Sequence, residues 1–288
     1  MAPSSSAPIV ILAGAGRLPL LLSDALRRTD QDHRILAFRG FADMILRRRA
    51  DAVVDLLDVR RALACLSEWR PSAVTLAGGV GRPTPSAMMG ALSFLSNRRE
   101  ITDLMARGDD QLLRSVVSLL EERGHPVIGA HEIAPELLAG EGVLGRVRPD
   151  AALRRSIDTG RRLLADLSRY DVGQAAVVAG GRVLAIEGPE GTDRMLRRIP
   201  RPRRWTGRPD LLAGVALVKV AKTGQDLRVD MPAIGPRTVA EAARAGLAGL
   251  AVGASSTLVL DRERTVEAAD RLGLALLGVP PSPEREEG

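Results

Sequence analysis

Short apolar runs alternate with amphipathic stretches through the amino-terminal half of the chain. The runs have the length of buried strands, and the stretches between them repeat apolar residues at helical spacing. This alternation predicts an α/β domain with a parallel, Rossmann-like sheet and a ligand at the carboxyl ends of its strands. The predicted strands are Val10–Ala13, Arg34–Phe38, Ala52–Val54, Ala73–Ala77 and Pro126–Gly129, and the predicted helices are Leu18–Arg28, Val59–Glu68, Ser86–Ser96 and Asp109–Arg123.

The carboxyl-terminal half has a different pattern, which opens with a β-hairpin turned by Gly180-Gly181. Helices and single strands follow it, so we expect a mixed α/β domain there. Near 143–150, Gly, Arg and Pro replace the apolar pattern and mark a boundary. The expected organisation is a disordered leader (1–8), an N-terminal Rossmann-like domain (9–142), a linker (143–155), a C-terminal domain that carries the catalytic motif (156–279) and a tail (280–288), with a ligand cleft between the two domains. In the C-terminal domain the predicted strands are Ala175–Ala179, Arg182–Glu187, Gly249–Val252, Thr257–Leu260 and Ala275–Gly278, and the predicted helices are Arg194–Arg198, Thr238–Ala245 and Arg262–Leu272.

Composition narrows the class of protein. Aromatic residues are 2% of the 288, and Cys65 is the single cysteine, so an intrachain disulfide and a cysteine zinc site are excluded. The chain has no signal peptide and no long apolar run, so we expect a cytoplasmic protein. Its net charge of +6 is compatible with a polyanionic substrate or an anionic membrane. With so few aromatics to stack on bases, nucleic acid is not expected as a partner.

The stretch 218–235, VKVAKTGQDLRVDMPAIG, holds the only two lysines of the chain, Lys219 and Lys222; the other basic residues, among 41 Lys plus Arg, are arginines. A lysine retained in such a composition suggests a role for a compact ammonium that a guanidinium cannot fill. If the segment is extended, Asp226, Arg228 and Asp230 share one face. Two carboxylates there suit Mg²⁺, which completes its shell with water and phosphate oxygens. A solvated surface hairpin with a salt bridge is the alternative.

Several loops carry further candidates, each with a structural alternative. Gly14, Gly16 and Arg17 follow the first strand in an incomplete GxGxxG pattern, which indicates a phosphate or nucleotide contact. Arg82 lies in a glycine-rich loop and could reach an anion, although an ordinary turn would also explain that loop. The acidic residues Glu187, Glu190 and Asp193 could assist a metal or hold Lys219 and Lys222, although a helix cap would also explain their loop. The remaining candidates stand where helix caps or structural hydrogen bonds would equally explain them: Asp109, Asp110, His131, Glu132, Gln174, Thr192 and Asp193.

Taken in order, the motifs resemble the LpxI family, the UDP-2,3-diacylglucosamine pyrophosphatases of lipid A biosynthesis. The resemblance covers roughly residues 9–279. The motifs are AGAGRLP (13–19), GDD (108–110), GAHE (129–132), DVGQA (171–175), EGTD (190–193), LVKxAKxGQDLRVDxPxIG (217–235) and GLAG (246–249). The chain departs from the family at Gly79-Val80-Gly81-Arg82-Pro83, where a lysine is missing from GKVxRP, and at Thr223, Met231, Ala233 and Gly253.

The resemblance implies Mg²⁺-dependent hydrolysis of the UDP-diacylglucosamine lipid to UMP and 2,3-diacylglucosamine 1-phosphate by a homodimer. Lys222, Gln225, Asp226 and Arg228 would be catalytic, and Asp226 with Asp230 would hold the metal. The substrate-binding residues would be Gly14, Gly16, Arg17, Arg82, Asp109, Asp110, His131, Glu132, Gln174, Thr192, Asp193 and Lys219.

Three other expectations concern partners and rival functions. Basic helices such as the one at 154–162 would allow peripheral contact with the inner membrane. A nucleotide- or lipid-binding regulatory protein without catalysis is the main alternative. An NAD-dependent oxidoreductase is disfavoured, because the glycine motif is incomplete and no acidic residue ends the strand at 34–38.

Overall fold

A computed structural model describes residues 7–80, 109–170, 172–199 and 214–281 of the chain, with the side chains of 109–111 left out. The chain folds as two units. The first comprises residues 1–136 together with Asp226–Asp230, and the second comprises 137–225 and 231–288. The first unit therefore contains a segment that the sequence analysis had placed in the C-terminal domain, and the units divide at 136/137, where the sequence pattern had suggested 142/143.

The first unit is built on a parallel sheet, as the alternation of apolar runs predicts. Its strand order is β3-β2-β1-β4, and β1 pairs in register with both β2 and β4. The elements are β1 (Ile9–Ala13), α1 (Leu18–Arg28), β2 (His33–Phe38), α2 (Met44–Arg49), β3 (Ala52–Val54), α3 (Val59–Trp69), β4 (Ala73–Ala77), α4 (Asp109–Glu121) and α5 (Ala130–Ile133).

Successive side chains of a strand point to opposite faces of the sheet, so the apolar residues of β1 face both sides. Val10 and Leu12 of β1 pack in one cluster with side chains of α3 and α4, while Ile11 between them is fully buried. The carboxyl ends of the parallel strands lie at one edge, which we call the carboxyl edge of the first sheet. The loops after β1, β2 and β4 all start there.

One predicted strand of the first unit is reduced to a single bridge. Val127 pairs with Val74 of β4 in parallel, through bonds from the N–H of Val74 to Pro126 and from the N–H of Ile128 back to Val74. Pro126 has no N–H to extend the ladder, and Gly129 already caps α5, so a strand over 126–129 does not form. The predicted helix at 86–96 lies outside the described residues.

The second unit contains a mixed sheet of order β5-β12-β10-β8-β6-β7. Strands β12, β10 and β8 are parallel, whereas β6 runs antiparallel to both β8 and β7. A 3₁₀ turn, Pro135–Leu137, stands where the two units divide. The elements are β5 (Gly142–Val143), α6 (Ala151–Leu167), β6 (Ala175–Ala179), β7 (Arg182–Ile186), α7 (Thr192–Arg198), β8 (Ala216–Lys219), β9 (Ala233–Ile234), α8 (Pro236–Arg244), β10 (Gly249–Gly253), β11 (Leu258–Val259), α9 (Arg262–Arg271) and β12 (Ala275–Val279).

Helix α6 covers one face of the mixed sheet and α7, α8 and α9 cover the other. The helix α6 lies so near β8 that a Cβ at Gly160 would stand 2.6 Å from a methyl of Val218. One prediction changes in detail. The predicted strand 257–260 is the shorter β11, which pairs with β9 in a separate two-stranded sheet. Within the described ranges, no helix has the length and apolar character needed to cross a membrane.

Candidate active site

The segment Asp226–Asp230 forms a tight turn in the first unit. The N–H groups of Val229 and Asp230 both donate to the carbonyl oxygen of Asp226, at 3.2 Å each. The prediction of an extended segment with Asp226, Arg228 and Asp230 on one face is therefore wrong, because turn hydrogen bonds replace strand alternation. Val229 packs against the apolar core of the first unit, which ties the turn to that unit.

Arg228 joins the turn to helix α4 through two carboxylates. Its Nε donates to Asp226 Oδ1 at 3.0 Å, and its Nη2 donates to Oδ2 at 2.7 Å. Its Nη1 donates to Glu121 Oε1 at 2.8 Å. The backbone N–H of Arg228 also donates to Asp226 Oδ1, at 3.1 Å. The guanidinium is thus fixed at both ends, and Asp226 is fixed by a bidentate contact.

This pairing sets the charge state of the turn. The hydrogen bond from Arg228 lowers the pKa of the Asp226 carboxyl below its ordinary value, with a smaller contribution from the charge of Arg114. The same bond raises the pKa of the Arg228 guanidinium. Asp226 is therefore ionised at neutral pH. A carboxylate with a lowered pKa is a weak general base, and it is well suited to hold a cation.

A shallow depression lies beside this pair. It is lined by Asp226, Val229 and Asp230 of the turn and by Leu113 and Arg114 of α4. Two carboxylates and one arginine thus meet at one small surface of the first unit. Neither Arg114 nor Glu121 was among the predicted site residues, because nothing in the spacing of α4 distinguishes them from other charged residues on a helix.

The glycines after β1 serve a close approach between two loops. The N–H of Ala15 donates to the carbonyl of Gly79, and the N–H of Gly79 donates back to Ala15. A Cβ at Gly14 would stand 2.5 Å from the carbonyl oxygen of Gly79, so no larger residue fits there. The sequence pattern had suggested phosphate contact for Gly14, Gly16 and Arg17. The structure gives Gly14 a packing role at the carboxyl edge, and Arg17 stands at the first turn of α1.

His131 and Glu132 lie at the start of α5. Glu132 Oε1 accepts the N–H of Gly129 at 2.6 Å, which is a structural cap. His131 Nδ1 is buried without a hydrogen-bond partner among the described residues. A Cβ at Gly129 would clash with the His131 ring at 2.3 Å and stand 3.3 Å from the Cα of Arg228. His131 and the turn at Arg228 are therefore neighbours on either side of Gly129.

In the second unit, Lys219 ends β8 and is held by a chain of hydrogen bonds. Its Nζ donates to Thr192 Oγ1 at 2.8 Å, and the Thr192 hydroxyl donates to Glu187 Oε1 at 2.5 Å. A hydroxyl has one proton to donate, so Thr192 can act only as an acceptor towards the ammonium. The prediction that Thr192 or Asp193 caps the following helix is wrong. Gly191 is the N-cap, and the Thr192 hydroxyl bonds to Lys219 and Glu187 instead.

Glu187 is the centre of this chain of bonds, and it is one of the acidic residues of the loop 187–193 that the sequence offered as partners for Lys219 and Lys222. Its side chain accepts the N–H of Gln174 through Oε2 at 3.0 Å, and its residue is only 8% exposed. Its backbone N–H donates to Ala175 of β6 at 2.8 Å. The structure connects Glu187 to Lys219 through the Thr192 hydroxyl, so the alternative in which this loop holds a lysine is confirmed for Lys219.

The remaining predicted residues of the second unit have local partners. Asp193 accepts from Thr238 Oγ1 at 3.1 Å and pairs with Arg237 at 3.0 Å, which ties α7 to the start of α8. Gln225 closes a turn by accepting the N–H of Lys222 through Oε1 at 2.9 Å, and its own N–H donates to the carbonyl of Lys222. This turn places Lys222 immediately before the chain passes into the first unit.

Three predicted residues are not described by their side chains. Arg82 lies outside the described residues, and Asp109 and Asp110 are described only as the first turn of α4. In the ranges that the structure covers, no three or more His, Cys, Asp or Glu side chains are grouped to hold a metal ion.

Comparison with known proteins points to one family. Residues 8–137 match the LpxI N-terminal domain, and residues 140–277 match the LpxI C-terminal domain. The chain is 39% identical over 272 residues to the UDP-2,3-diacylglucosamine pyrophosphatase LpxI of Caulobacter vibrioides. That alignment covers 94% of this chain and 97% of the relative.

Proposed function

The chain belongs to the LpxI family, and from this premise we propose that it hydrolyses the pyrophosphate of UDP-2,3-diacylglucosamine in lipid A biosynthesis. Water adds across one P–O bond of the pyrophosphate. The oxygen of the water bonds to one phosphorus, and the bridging oxygen leaves with the other, so the products are UMP and 2,3-diacylglucosamine 1-phosphate. The relative from Caulobacter vibrioides, whose name states this substrate, supports the proposal, since nearly all of both chains align.

The pair of Asp226 and Arg228 is the observation that carries the proposal. Both side chains are fixed by bidentate contact, and the pKa of the carboxyl is lowered, so the turn presents a stable negative and a stable positive charge. We assign Arg228 to the phosphoryl oxygens, where a fixed cation stabilises the charge of the transition state. Lys222 and Gln225 act from the turn that precedes Asp226.

Mg²⁺ is the cofactor we propose, held by Asp226 and Asp230. The donors fit: both are carboxylates with hard oxygen atoms, and Asp226 is ionised. A carboxylate has about four lone-pair sites, so Asp226 can accept the hydrogen bonds from Arg228 and bind a cation at the same time. When bound, Mg²⁺ supplies charge neutralisation and a more acidic water. The protein side chains then have to orient the pyrophosphate, but they do not have to activate the water without help.

Orientation of the phosphates is the role we assign to the second unit. The Lys219 ammonium is held by Thr192, which leaves its other two protons for acceptors outside the chain of bonds.

The other groups proposed to contact substrate are Gly14, Gly16, Arg17, Arg82, Asp109, Asp110, His131, Glu132, Gln174 and Asp193. A homodimer, a cytoplasmic location and peripheral contact with the inner membrane are parts of the same proposal.

Product analysis tests this function. The purified protein is incubated with UDP-2,3-diacylglucosamine in detergent micelles and ¹⁸O-labelled water, with Mg²⁺ or with EDTA. We expect UMP and 2,3-diacylglucosamine 1-phosphate with Mg²⁺ and no turnover with EDTA, and the labelled product identifies the phosphorus attacked. Binding of the substrate without turnover in Mg²⁺ would contradict the proposal and favour a binding protein.

A further inference from the structure

Helix α2 exposes two adjacent large apolar side chains. Met44 is 60% exposed and Ile45 is 59% exposed, which are the highest values among the large apolar residues that the structure describes. Singly exposed apolar residues are ordinary on protein surfaces, whereas two neighbours at the start of a helix form a protruding apolar point. The next residue, Leu46, is fully buried.

The fold holds this point rigidly. Asp43 caps the helix by accepting the N–H of Leu46 at 2.8 Å, and Leu46 anchors the helix in the first unit. Arg49 at the other end donates to Asp24 of α1 at 2.9 Å. Both ends of α2 are therefore fixed, and the exposure of Met44 and Ile45 belongs to the folded state.

Basic charge adjoins the apolar point. Arg47, Arg48 and Arg49 close the helix, and all three are exposed. Asp24 offsets the charge of Arg49, but no side chain in the described ranges pairs with Arg47 or Arg48. Apolar side chains beside uncompensated arginines have the chemistry of an interfacial anchor, in which the former enter the acyl boundary and the latter meet lipid phosphates.

The position of α2 relates this surface to the candidate site. The helix begins after β2, at the carboxyl edge of the first sheet, where the Gly14–Arg17 loop also starts. Arg39, the first residue after β2, pairs with Asp55 after β3 at the same edge, at 3.2 Å. The apolar point therefore projects from the edge at which the first unit is expected to contact its ligand.

We propose that Met44, Ile45 and Arg47–Arg49 dock the protein on an anionic phospholipid surface, with the carboxyl edge of the first sheet turned towards the bilayer. This inference rests on the proposed function, because an enzyme for a diacylated substrate has to meet that substrate where its acyl chains reside. Docking by this surface brings the carboxyl edge of the first sheet to the level of the lipid headgroups.

Helix α6, the basic helix that the sequence favoured for this role, has charge without an apolar point. Arg154 and Arg155 are exposed, yet no large apolar side chain on α6 is. Arg161 turns back to donate to the carbonyls of Pro280 and Pro281. The α6 arginines therefore make a matched control for charge, and Leu272, which is 43% exposed in the second unit, makes one for apolar character.

Vesicle sedimentation tests the proposal with the full-length protein at low salt. The vesicles contain phosphatidylglycerol and phosphatidylcholine, or phosphatidylcholine alone. We expect binding to the anionic vesicles only, and a loss of about tenfold or more for the double variant Met44→Gln/Ile45→Gln. Arg47→Gln/Arg48→Gln should lose about 5-fold per arginine, from about 1 kcal/mol per basic residue. Arg154→Gln/Arg155→Gln should bind as the wild type does.

A fluorescent reporter checks which surface enters the bilayer. Ile45→Trp and Leu272→Trp are compared in vesicles whose lipids carry bromine near the headgroup. We expect added quenching for Ile45→Trp and none for Leu272→Trp, each measured against the wild type. Since the substituted side chains are exposed, the variants should keep the wild-type unfolding temperature.

Three outcomes would overturn the inference. In the first, the wild-type protein stays in the supernatant with anionic vesicles. In the second, the Met44→Gln/Ile45→Gln variant binds these vesicles as well as the wild type does. In the third, the same variant changes only its oligomeric state, which would identify the surface as a contact between copies of the chain. Turnover in detergent micelles separates this result from the proposed function. If the wild type hydrolyses nothing there, the function fails whatever the vesicles show, whereas unchanged micellar turnover with lost vesicle binding supports docking.

Discussion

The Asp226–Asp230 turn of the first unit and the Lys219 region of the second unit hold their charges in different ways. Asp226 and Arg228 in the first unit are fixed by ion pairs on a surface turn, and the Arg228 side chain is 37% exposed. Lys219 in the second unit is held by Thr192, which Glu187 holds in turn, and both of these residues are less than 10% exposed. The motif that supplies both regions is continuous in sequence, but it is divided between two units after Gln225.

The two regions should therefore differ in their sensitivity to substitution. Ion pairs on a surface contribute little to stability, because water and salt screen them. Loss of a buried acceptor costs more, because the donors that it leaves cannot form hydrogen bonds to water instead. We therefore expect the turn to matter mainly for the chemistry, and the Glu187 network to matter for both the chemistry and the fold.

The largest effect is expected at Asp226. Asp226→Asn keeps the size of the side chain but removes the charge that faces Arg228 and the proposed cation. Loss of one fixed electrostatic contact typically costs about 10²–10³ in rate, so we expect kcat to fall by at least that factor. Steady-state kinetics in micelles measure it. Asp270→Asn is the control, since Asp270 also pairs with an arginine, Arg146, and its pKa is also lowered. Similar turnover in the two variants would contradict a catalytic role for Asp226.

The next effect is expected at Glu187. Two donors, the Thr192 hydroxyl and the Gln174 N–H, share its carboxylate. In Glu187→Gln one oxygen remains for them, so one buried donor loses its partner at a cost of about 1–3 kcal/mol in the free energy of unfolding. Release of Lys219 should lower kcat/KM about tenfold, or about 1.4 kcal/mol.

Two measurements separate the effects of Glu187→Gln. Urea unfolding gives the change in stability, and kinetics at several substrate concentrations give the change in kcat/KM. Thr192→Ser keeps the hydroxyl and should retain the wild-type kcat/KM, whereas Thr192→Val removes the hydroxyl and should lower kcat/KM. If Thr192→Val retains wild-type kcat/KM, the hydrogen bond to Lys219 has no part in the reaction.

More of the fold than of the candidate site could be predicted from the sequence. The apolar runs predicted the parallel sheet of the first unit and the hairpin of the second, because buried strands leave a local pattern, and the α/β class is confirmed. The turn at Asp226–Asp230 was predicted as extended, since alternation of Asp, Leu, Arg, Val and Asp also fits a strand. Glu121 stands 107 residues before Arg228, and no local pattern reveals such a contact.

A smaller effect is expected at Glu121. Glu121→Gln removes one of the two carboxylates on Arg228, both of them partly exposed. The expected loss is about 0.2–1 kcal/mol in the free energy of unfolding, as for other exposed pairs. Arg228 keeps its bidentate contact with Asp226, so kcat should change less than about fivefold. Denaturant curves and kinetics would reveal a larger loss, which would mean that Glu121 positions the guanidinium.

The smallest effect is expected from pH. Since folding lowers the pKa of Asp226, its ionised form contributes stability above the unfolded pKa of about 3.9, and this is lost as pH falls through the folded pKa. The stability difference between the wild type and Asp226→Asn should therefore be constant above about pH 5 and shrink towards pH 2. Urea unfolding across this range measures it. A difference that grows on acidification would have the opposite sign and would exclude the ion pair as its source.

The most direct test of the central claim, a metal-dependent site on the Asp226–Asp230 turn, is a Mg²⁺ titration of UMP release from UDP-2,3-diacylglucosamine. Wild type, Asp230→Asn and Asp270→Asn are run side by side. We predict that half-maximal rate requires at least about tenfold more Mg²⁺ in Asp230→Asn, as for other losses around a metal, and that Asp270→Asn follows the wild type. Identical Mg²⁺ dependence in all three proteins, or full turnover in EDTA, would contradict the account.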